Sequence, residues 1–217
     1  MLRQLIAGML GLLLAFPLAA QQGKPPQEGI DYLTLNPPQP TDSGGRIEIT
    51  EFFWYRCPHC YHLEPVLEPW LKKLPRDTQF KRVPAIFDAE WALDARIFYA
   101  LEATGDEERV HRKLFDTIHN DGGVRLKGEA YMKWVAAWLA RNGVDMAKYD
   151  AALRSFSVDT RTKRAMQMTQ AYKIDGVPAM AVQGRWVASA AMSGERQVMM
   201  AVTDYLVGEA RKRATKK

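Results

Sequence analysis

The chain has almost no cysteine: 217 residues contain two, Cys57 and Cys60, with two positions between them. A pair that close cannot staple a long loop, which excludes the disulfide framework that stabilises many small exported domains. An apolar run of the ~20 residues needed to cross a bilayer is also missing. The stretch from Leu5 to Leu18 is shorter and carries Pro17 near its end. Strong charge of one sign is absent, since the net charge is +5. Much of that excess lies in the tail from Arg211 to Lys217. No aromatic residue interleaves with it, as a single-strand binder would need, so the tail reads as a frayed, solvated end and nucleic acid is not an expected partner. There is no internal repeat.

The composition is that of a folded protein, with 47% hydrophobic residues, and the length suits one domain of ordinary size with an insertion. The N-terminus has the pattern of a cleaved signal peptide over residues 1–20. Arg3 is followed by the apolar run, and Ala19-Ala20 precedes Gln21. Gln21 stands where a lipid anchor would require cysteine. The mature protein is therefore expected outside the cytoplasm, in an oxidising compartment. An exported protein that keeps only two adjacent cysteines keeps them for reactivity.

Residues 21–45 are rich in Pro, Gly and Gln and read as a tether, with a short edge strand around Tyr32 to Leu35. Arg46 to Tyr55 predicts a strong strand whose alternation puts Ile47, Ile49, Glu51 and Phe53 on one, buried face. A helix follows from Cys57 to about Leu74, with Pro58 in its first turn, and Gln79 to Phe87 predicts a second strand. Residues 88–157 are helical in pattern and lack strand signals; Tyr131, Trp134, Val135 and Trp138 share one helix face. Ser157 is a candidate cap for a helix to Tyr172. Ala179–Val182 and Arg185–Ala188 predict a hairpin turning on Gln183-Gly184, and a final helix covers Gly194 to Glu209. The order implies an α/β protein: a mixed sheet built from residues 46–87 and 158–210, covered by helices, with a helical insertion at 88–157 and a basic tail at 211–217.

Cys57-Pro58-His59-Cys60 falls where the strong strand meets its helix, at the carboxyl end of a strand, a common place for sites in α/β sheets. A dithiol that exchanges electrons needs a thiolate, and a free cysteine is mostly protonated at neutral pH. A helix start favours an anion through its unpaired N–H groups and dipole. The His59 ring and Arg56 are expected to add positive charge. Stabilising the reduced form makes such a couple an oxidant. Cys60, one turn later, is the expected resolving thiol. Glu51, on the buried face, would carry a raised pKa and could move a proton; Lys81 and Arg82 are equally available as its basic partner. His111 and His119 read as exposed and idle, and Phe52, Phe53 and Trp54 as core. Met166, Met168 and Met180 are read equally as the lining of a groove or as filler.

Phe52 to Tyr61, containing Cys57-Pro58-His59-Cys60, resembles the active-site segment of the DsbA family of periplasmic disulfide oxidases, which have a thioredoxin fold with a helical insertion. Gly176-Val177-Pro178-Ala179-Met180 resembles that family's cis-proline loop. The resemblance implies a thioredoxin-like fold and a cis Val177-Pro178 bond facing Cys57. Val177 and Pro178 would bind an extended substrate chain as an added strand. It also implies an acid behind the resolving cysteine, here Glu51. No cofactor or metal is expected beyond the Cys57–Cys60 disulfide. Reduced exported polypeptides and a membrane quinone-linked reoxidase of the DsbB type are the expected partners of a monomeric protein. The family's acidic first cysteine and oxidising couple are implications of the resemblance, not readings of these residues. Arg56 departs from the aromatic residue associated with that position. Alternatives are a reductase or isomerase on the same fold, a peptide-binding chaperone, and half of a zinc site completed by His62 or His119.

Overall fold

The computed structural model describes residues 24–215, so the segment read as a signal peptide lies outside the described residues. One mixed sheet contains β1 (Leu33–Thr34), β2 (Ile47–Phe53), β3 (Thr78–Pro84), β4 (Ala179–Val182) and β5 (Trp186–Ser189), in the order β1-β5-β4-β2-β3. β2 and β3 are parallel, so a crossover must join them, and α1 (Pro58–Leu71) is that crossover. The pairs β2–β4, β4–β5 and β1–β5 are antiparallel.

All seven residues of β2 are buried, not one face alone. Helices cover both sides of the sheet. On one side Ile47 and Ile49 pack with Leu63 and Leu67 of α1, with Met180 and Val182 of β4, and with Met199 and Leu206 of α8 (Arg196–Ala214). On the other, Phe52, Ala179 and Ala181 meet Ala165 of α6 (Phe156–Ala171) and Tyr172. Alternation along β4 thus feeds two cores at once. Each large side chain fully buried in them contributes ~1.5–3 kcal/mol.

Between β3 and α6 lie α2 (Ala89–Thr104), α3 (Glu107–Asn120), a 3-10 turn at Gly123–Arg125, α4 (Gly128–Arg141) and α5 (Met146–Leu153). Asp88 and Asp145 cap α2 and α5 by accepting from first-turn N–H groups. Phe98, Leu114, Phe115, Tyr131, Leu139 and Tyr149 fill the space between these helices, and Phe53 at the end of β2 reaches into the same cluster.

Four details differ from the sequence reading. The cap of α6 is Ser155, which accepts from Val158 N–H at 3.2 Å, and Ser157 lies inside the first turn. The hairpin loop has three residues, because pairing resumes at Val182↔Trp186. Gln183 and Gly184 both have positive φ there. Gly184 is required twice over, since a Cβ would also lie 2.1 Å from the Gln39 carbonyl oxygen. The last helix starts later and runs further than expected, after a short turn of helix, α7 (Ala190–Ser193). The basic stretch from Arg211 to Ala214 belongs to that helix. Arg211 is held by Asp77 through two hydrogen bonds of 2.6 and 2.9 Å, and cations suit a helix C-terminus.

Candidate active site

The chain leaves β2 at Phe53 and turns through Trp54, Tyr55 and Arg56 into α1. Cys57 is the N-cap residue, extended at φ −82° and ψ 118°, and Pro58 occupies the first helical position, where a missing N–H costs nothing. Cys57 N–H donates to Trp54 C=O at 3.0 Å, and Cys57 C=O accepts the first helical bond from Tyr61 N–H. Both cysteines are unbonded in this structure. The Cys57 thiol lies 3.4 Å from the Val177 carbonyl, and Val177-Pro178 is a cis peptide. Two segments 120 positions apart therefore meet at one sulfur.

The two thiols have opposite surroundings. Cys57 is held down to about 7, chiefly by a hydrogen bond from the Cys60 side chain and then by the N–H groups of Cys60 and His59, against an opposing effect of burial. Cys60 is pushed well up by burial and by the neighbouring Cys57 and Glu51 charges. Cys57 is 7% exposed and Cys60 is 0% exposed, so only the first presents any surface to another protein. His59 acts on Cys57 through its backbone N–H. Its ring is exposed and lines a cavity of about 220 Å³ with Gly176, Val177, Pro178, Ser189 and Arg196.

Arg56 does not serve Cys57 as the sequence suggested. Its guanidinium turns away and is buried. Nε donates to Asp94 at 2.9 Å, Nη1 to Glu90 at 3.0 Å and to Leu126 C=O at 3.1 Å, and Nη2 to Glu90 C=O at 2.8 Å. Asp94 also accepts from Trp54 Nε1 at 2.6 Å and from the Tyr131 hydroxyl. The residue next to Cys57 is thus a clamp between the active-site turn and α2, and its charge is spent on two carboxylates. Asp94 is raised to about 6 because burial outweighs Arg56 and the three donors.

Glu51 is buried, and Arg82 is its partner: Arg82 Nε stands 3.1 Å from Glu51 Oε2. Lys81, on the opposite face of β3, pairs with Glu48 at 2.8 Å. Burial pushes Glu51 to about 8, with Arg82 opposing and Glu64 adding to the rise. Glu64 of α1 shares the same guanidinium at 3.5 Å. His111 is buried and paired, not exposed and idle. Its Nδ1 is 2.9 Å from the Tyr55 hydroxyl and 3.2 Å from Glu107, and its Nε2 is 3.6 Å from Glu64. His119 donates from Nε2 to Tyr55 C=O at 2.9 Å and stacks on Tyr61. These partners come from different elements, so no local signal marked them. Phe52 and Phe53 are core, while Trp54 is part-buried and stacked on Trp91 at 3.9 Å. Met180 is buried, Met166 is exposed, and neither lines the cavity beside Cys57. Among the described residues no three His, Cys, Asp or Glu side chains converge as metal ligands would.

Similarity to known proteins extends across nearly the whole chain. A family described as DSBA-like thioredoxin domain matches residues 71–203, which includes the cis-proline loop. The thiol:disulfide interchange protein DsbA of Pseudomonas aeruginosa is 35% identical over 212 residues, covering 98% of both chains. That of Bordetella pertussis is 38% identical over 211 residues, covering 97% of both. The crystal structure of Pseudomonas aeruginosa DsbA superposes with a TM-score of 0.79 at 36% identity, over 87% of this chain and 96% of that one. Oxidoreductase DsbA from Xylella fastidiosa gives 0.79 at 29% identity, over 86% and 98%. With a cysteine pair at a helix start facing a cis-proline loop, and with this likeness over nearly all of its length, the chain belongs to the DsbA family of thiol:disulfide oxidoreductases, as a disulfide oxidase.

Proposed function

We propose that this oxidase works through Cys57 and Cys60, with Pro58, His59, Glu51, Val177 and Pro178 in supporting roles. A client thiolate attacks Cys57 Sγ of the oxidised pair. A mixed disulfide forms, the Cys57–Cys60 bond breaks, and its electron pair stays on Cys60. A second client thiolate then attacks the client sulfur, leaves with the new disulfide, and releases Cys57 as a thiolate. Pro58 and the His59 backbone shape the N–H end of α1 that receives this thiolate. Val177 C=O, facing the sulfur, pairs with the client's extended backbone. Glu51 supplies the proton that Cys60 takes up.

The observation that carries this reading is the meeting of Cys57 Sγ with the Val177 carbonyl, while Cys60 lies behind it with no exposed surface. The same reading assigns residues 46–87 and 158–210 to the thioredoxin-like part and 88–157 to the insertion. It makes residues 1–20 a signal peptide and the periplasm the site of action, with reduced exported polypeptides as clients, a DsbB-type quinone-linked protein as reoxidant, and a monomer as the working form. Proteins of this family use the redox-active disulfide itself in place of a bound cofactor.

The test is trapping together with a potential. A Cys60→Ala protein carrying Cys57 activated as a mixed disulfide should exchange onto a reduced client and hold it, visible on a non-reducing gel; Cys57→Ala should hold nothing. The wild-type pair, titrated against glutathione, should be clearly more oxidising than about −270 mV, the value of thioredoxin. Trapping at Cys60 instead, or a potential at the thioredoxin value, would refute the assignment.

A further inference from the structure

Behind Cys60 the fold gathers charged and titratable groups from every element packed there. Glu51 comes from β2 and Tyr55 from the turn after it, Glu64 from α1, Arg82 from β3, and Glu107, His111 and Arg112 from α3, with Asp94 of α2 acting on Tyr55 from further off. Its groups meet as ion pairs: Arg82 Nε with Glu51 Oε2 at 3.1 Å, His111 Nε2 with Glu64 Oε1 at 3.6 Å and His111 Nδ1 with Glu107 Oε1 at 3.2 Å, while buried Glu51 Oε1 and Arg112 Nη1 have no hydrogen-bond partner among the described residues. Buried polar groups are normally closely hydrogen-bonded, so three carboxylates loosely paired around one imidazole and one guanidinium mark a place with a role beyond packing. The cluster also has an open end. The Glu107 and Arg82 side chains are 13% and 16% exposed, against 2% for Glu64 and 1% for Glu51, and of the two exposed groups only the carboxyl can hand over a proton.

His111 stands between the open and closed ends. Nδ1 faces Glu107 at 3.2 Å and Nε2 faces Glu64 at 3.6 Å, while Glu64 and Glu51 share the Arg82 guanidinium. An imidazole can take a proton on one nitrogen and release one from the other, which an arginine cannot do. Burial keeps the His111 ring neutral down to about 4, so it is free to switch tautomers at the pH where the enzyme works. We infer that His111 relays protons between solvent at Glu107 and the Glu64–Glu51 pair behind Cys60, resetting Glu51 in each cycle. This rests on the proposed role of Glu51.

The balance of the step is simple. When the client sulfur bonds to Cys57 and the Cys57–Cys60 bond breaks, Cys60 leaves with the electron pair and takes the proton of Glu51. Glu51 is then an anion beside Arg82 and must be reprotonated. A proton from the Glu107 carboxyl passes to His111 Nδ1 while the Nε2 proton passes to Glu64 and on to Glu51; Glu107 recovers its own from water. Reoxidation of the pair runs the same path outward. His111 and Glu107 touch neither sulfur, so they act through Glu51 as positioning residues.

The experiment compares steady-state oxidation of a cysteine-containing peptide, with oxidised glutathione as the reoxidant, from pH 5 to 9, for wild type, Glu51→Gln, Glu107→Gln and His111→Gln. Glu107→Gln keeps shape at the rim and guards against a variant that simply fails to fold. The relay predicts that Glu107→Gln and His111→Gln each slow the reaction at neutral pH by roughly tenfold, less than the loss of a direct acid–base group. It also predicts a changed pH profile in both, and a double variant no slower than the worse single one. Profiles matching wild type in both single variants, with Glu51→Gln impaired, overturn the relay alone. A wild-type profile in Glu51→Gln overturns the role of that acid and the relay with it.

Discussion

Replacing Glu51 by glutamine should make the dithiol protein more stable in mild alkali while changing it little in acid. Burial raises the Glu51 carboxyl to about 8, against an ordinary value of 4.5. The folded state therefore binds this proton more tightly than the unfolded chain does, and stability falls as pH rises between those two values. At about 1.36 kcal/mol per tenfold change, the wild type loses roughly 3 kcal/mol through this group between pH 5 and pH 8. Glutamine keeps the shape and cannot ionise, and Arg82 retains Glu64 as a counter-charge. His111, held at about 4 by burial, pulls stability the other way in acid. It is present in both proteins and drops out of the difference. Urea unfolding of both proteins under reducing conditions at the two pH values measures the effect. The variant should gain on wild type by roughly 3 kcal/mol across that interval. Parallel pH dependences, or a variant that loses ground at pH 8, would show that Glu51 is ionised in the native dithiol state and would remove the proton donor from the mechanism.

Two further outcomes follow from the packing. Asp94→Ala strips Arg56, Trp54 and Tyr131 of a shared buried acceptor. It should cost about 3–5 kcal/mol in chemical denaturation, much of it recovered when Arg56 is also made apolar; a loss under about 1 kcal/mol would mean the clamp is not formed in solution. Gly184→Ala sets a Cβ against the Gln39 carbonyl at a residue with φ of +59°. It should lower stability by about 1–3 kcal/mol in the same assay, and an unchanged midpoint would contradict the close approach of the 36–40 segment to the hairpin.

What could be read from the sequence was what neighbours along the chain decide. Strand period, the proline after Cys57 and the turn residues Gln183 and Gly184 gave the elements of the sheet, the helix start at the motif and the hairpin, because each is a local backbone preference. Misjudged features depended on partners far along the chain. Arg56 was given to Cys57 by adjacency, yet Asp94 and Glu90 lie 38 and 34 positions away and claim it. His111 sits on a helix with charged neighbours, and its burial is decided by Tyr55 and Glu64, which arrive from the turn after β2 and from α1. The choice between Lys81 and Arg82 turned on strand register. Glu51 is in register with Arg82, and the alternating pleat sends Lys81 to the other face and to Glu48. The tail was judged by its charge alone, while Asp77, 134 positions earlier, anchors Arg211 and extends the helix. Ser155 and Ser157 are both good caps, and the helix took the earlier one.

The corrected place of Arg56 changes where the driving force of the reaction should be sought. With Arg56 committed to two carboxylates and His59 contributing a backbone N–H, the Cys57 thiol is lowered from 9.0 to about 7. At pH 7 that lowering favours the dithiol state by only about 0.4 kcal/mol, or about 10 mV for a two-electron couple. The gap between a thioredoxin-like potential and a strongly oxidising one is more than ten times larger. A Cys57 thiol at about 7 supplies only a small part of it. The remaining groups that change state when the bond opens are at the buried end. There Cys60, held well above its ordinary pKa, takes a proton, and Glu51, raised to about 8, has one to give. A leaving sulfur that is protonated as it forms cannot readily attack back, so in the proposed mechanism this pair of buried groups holds the disulfide open once a client has attacked Cys57.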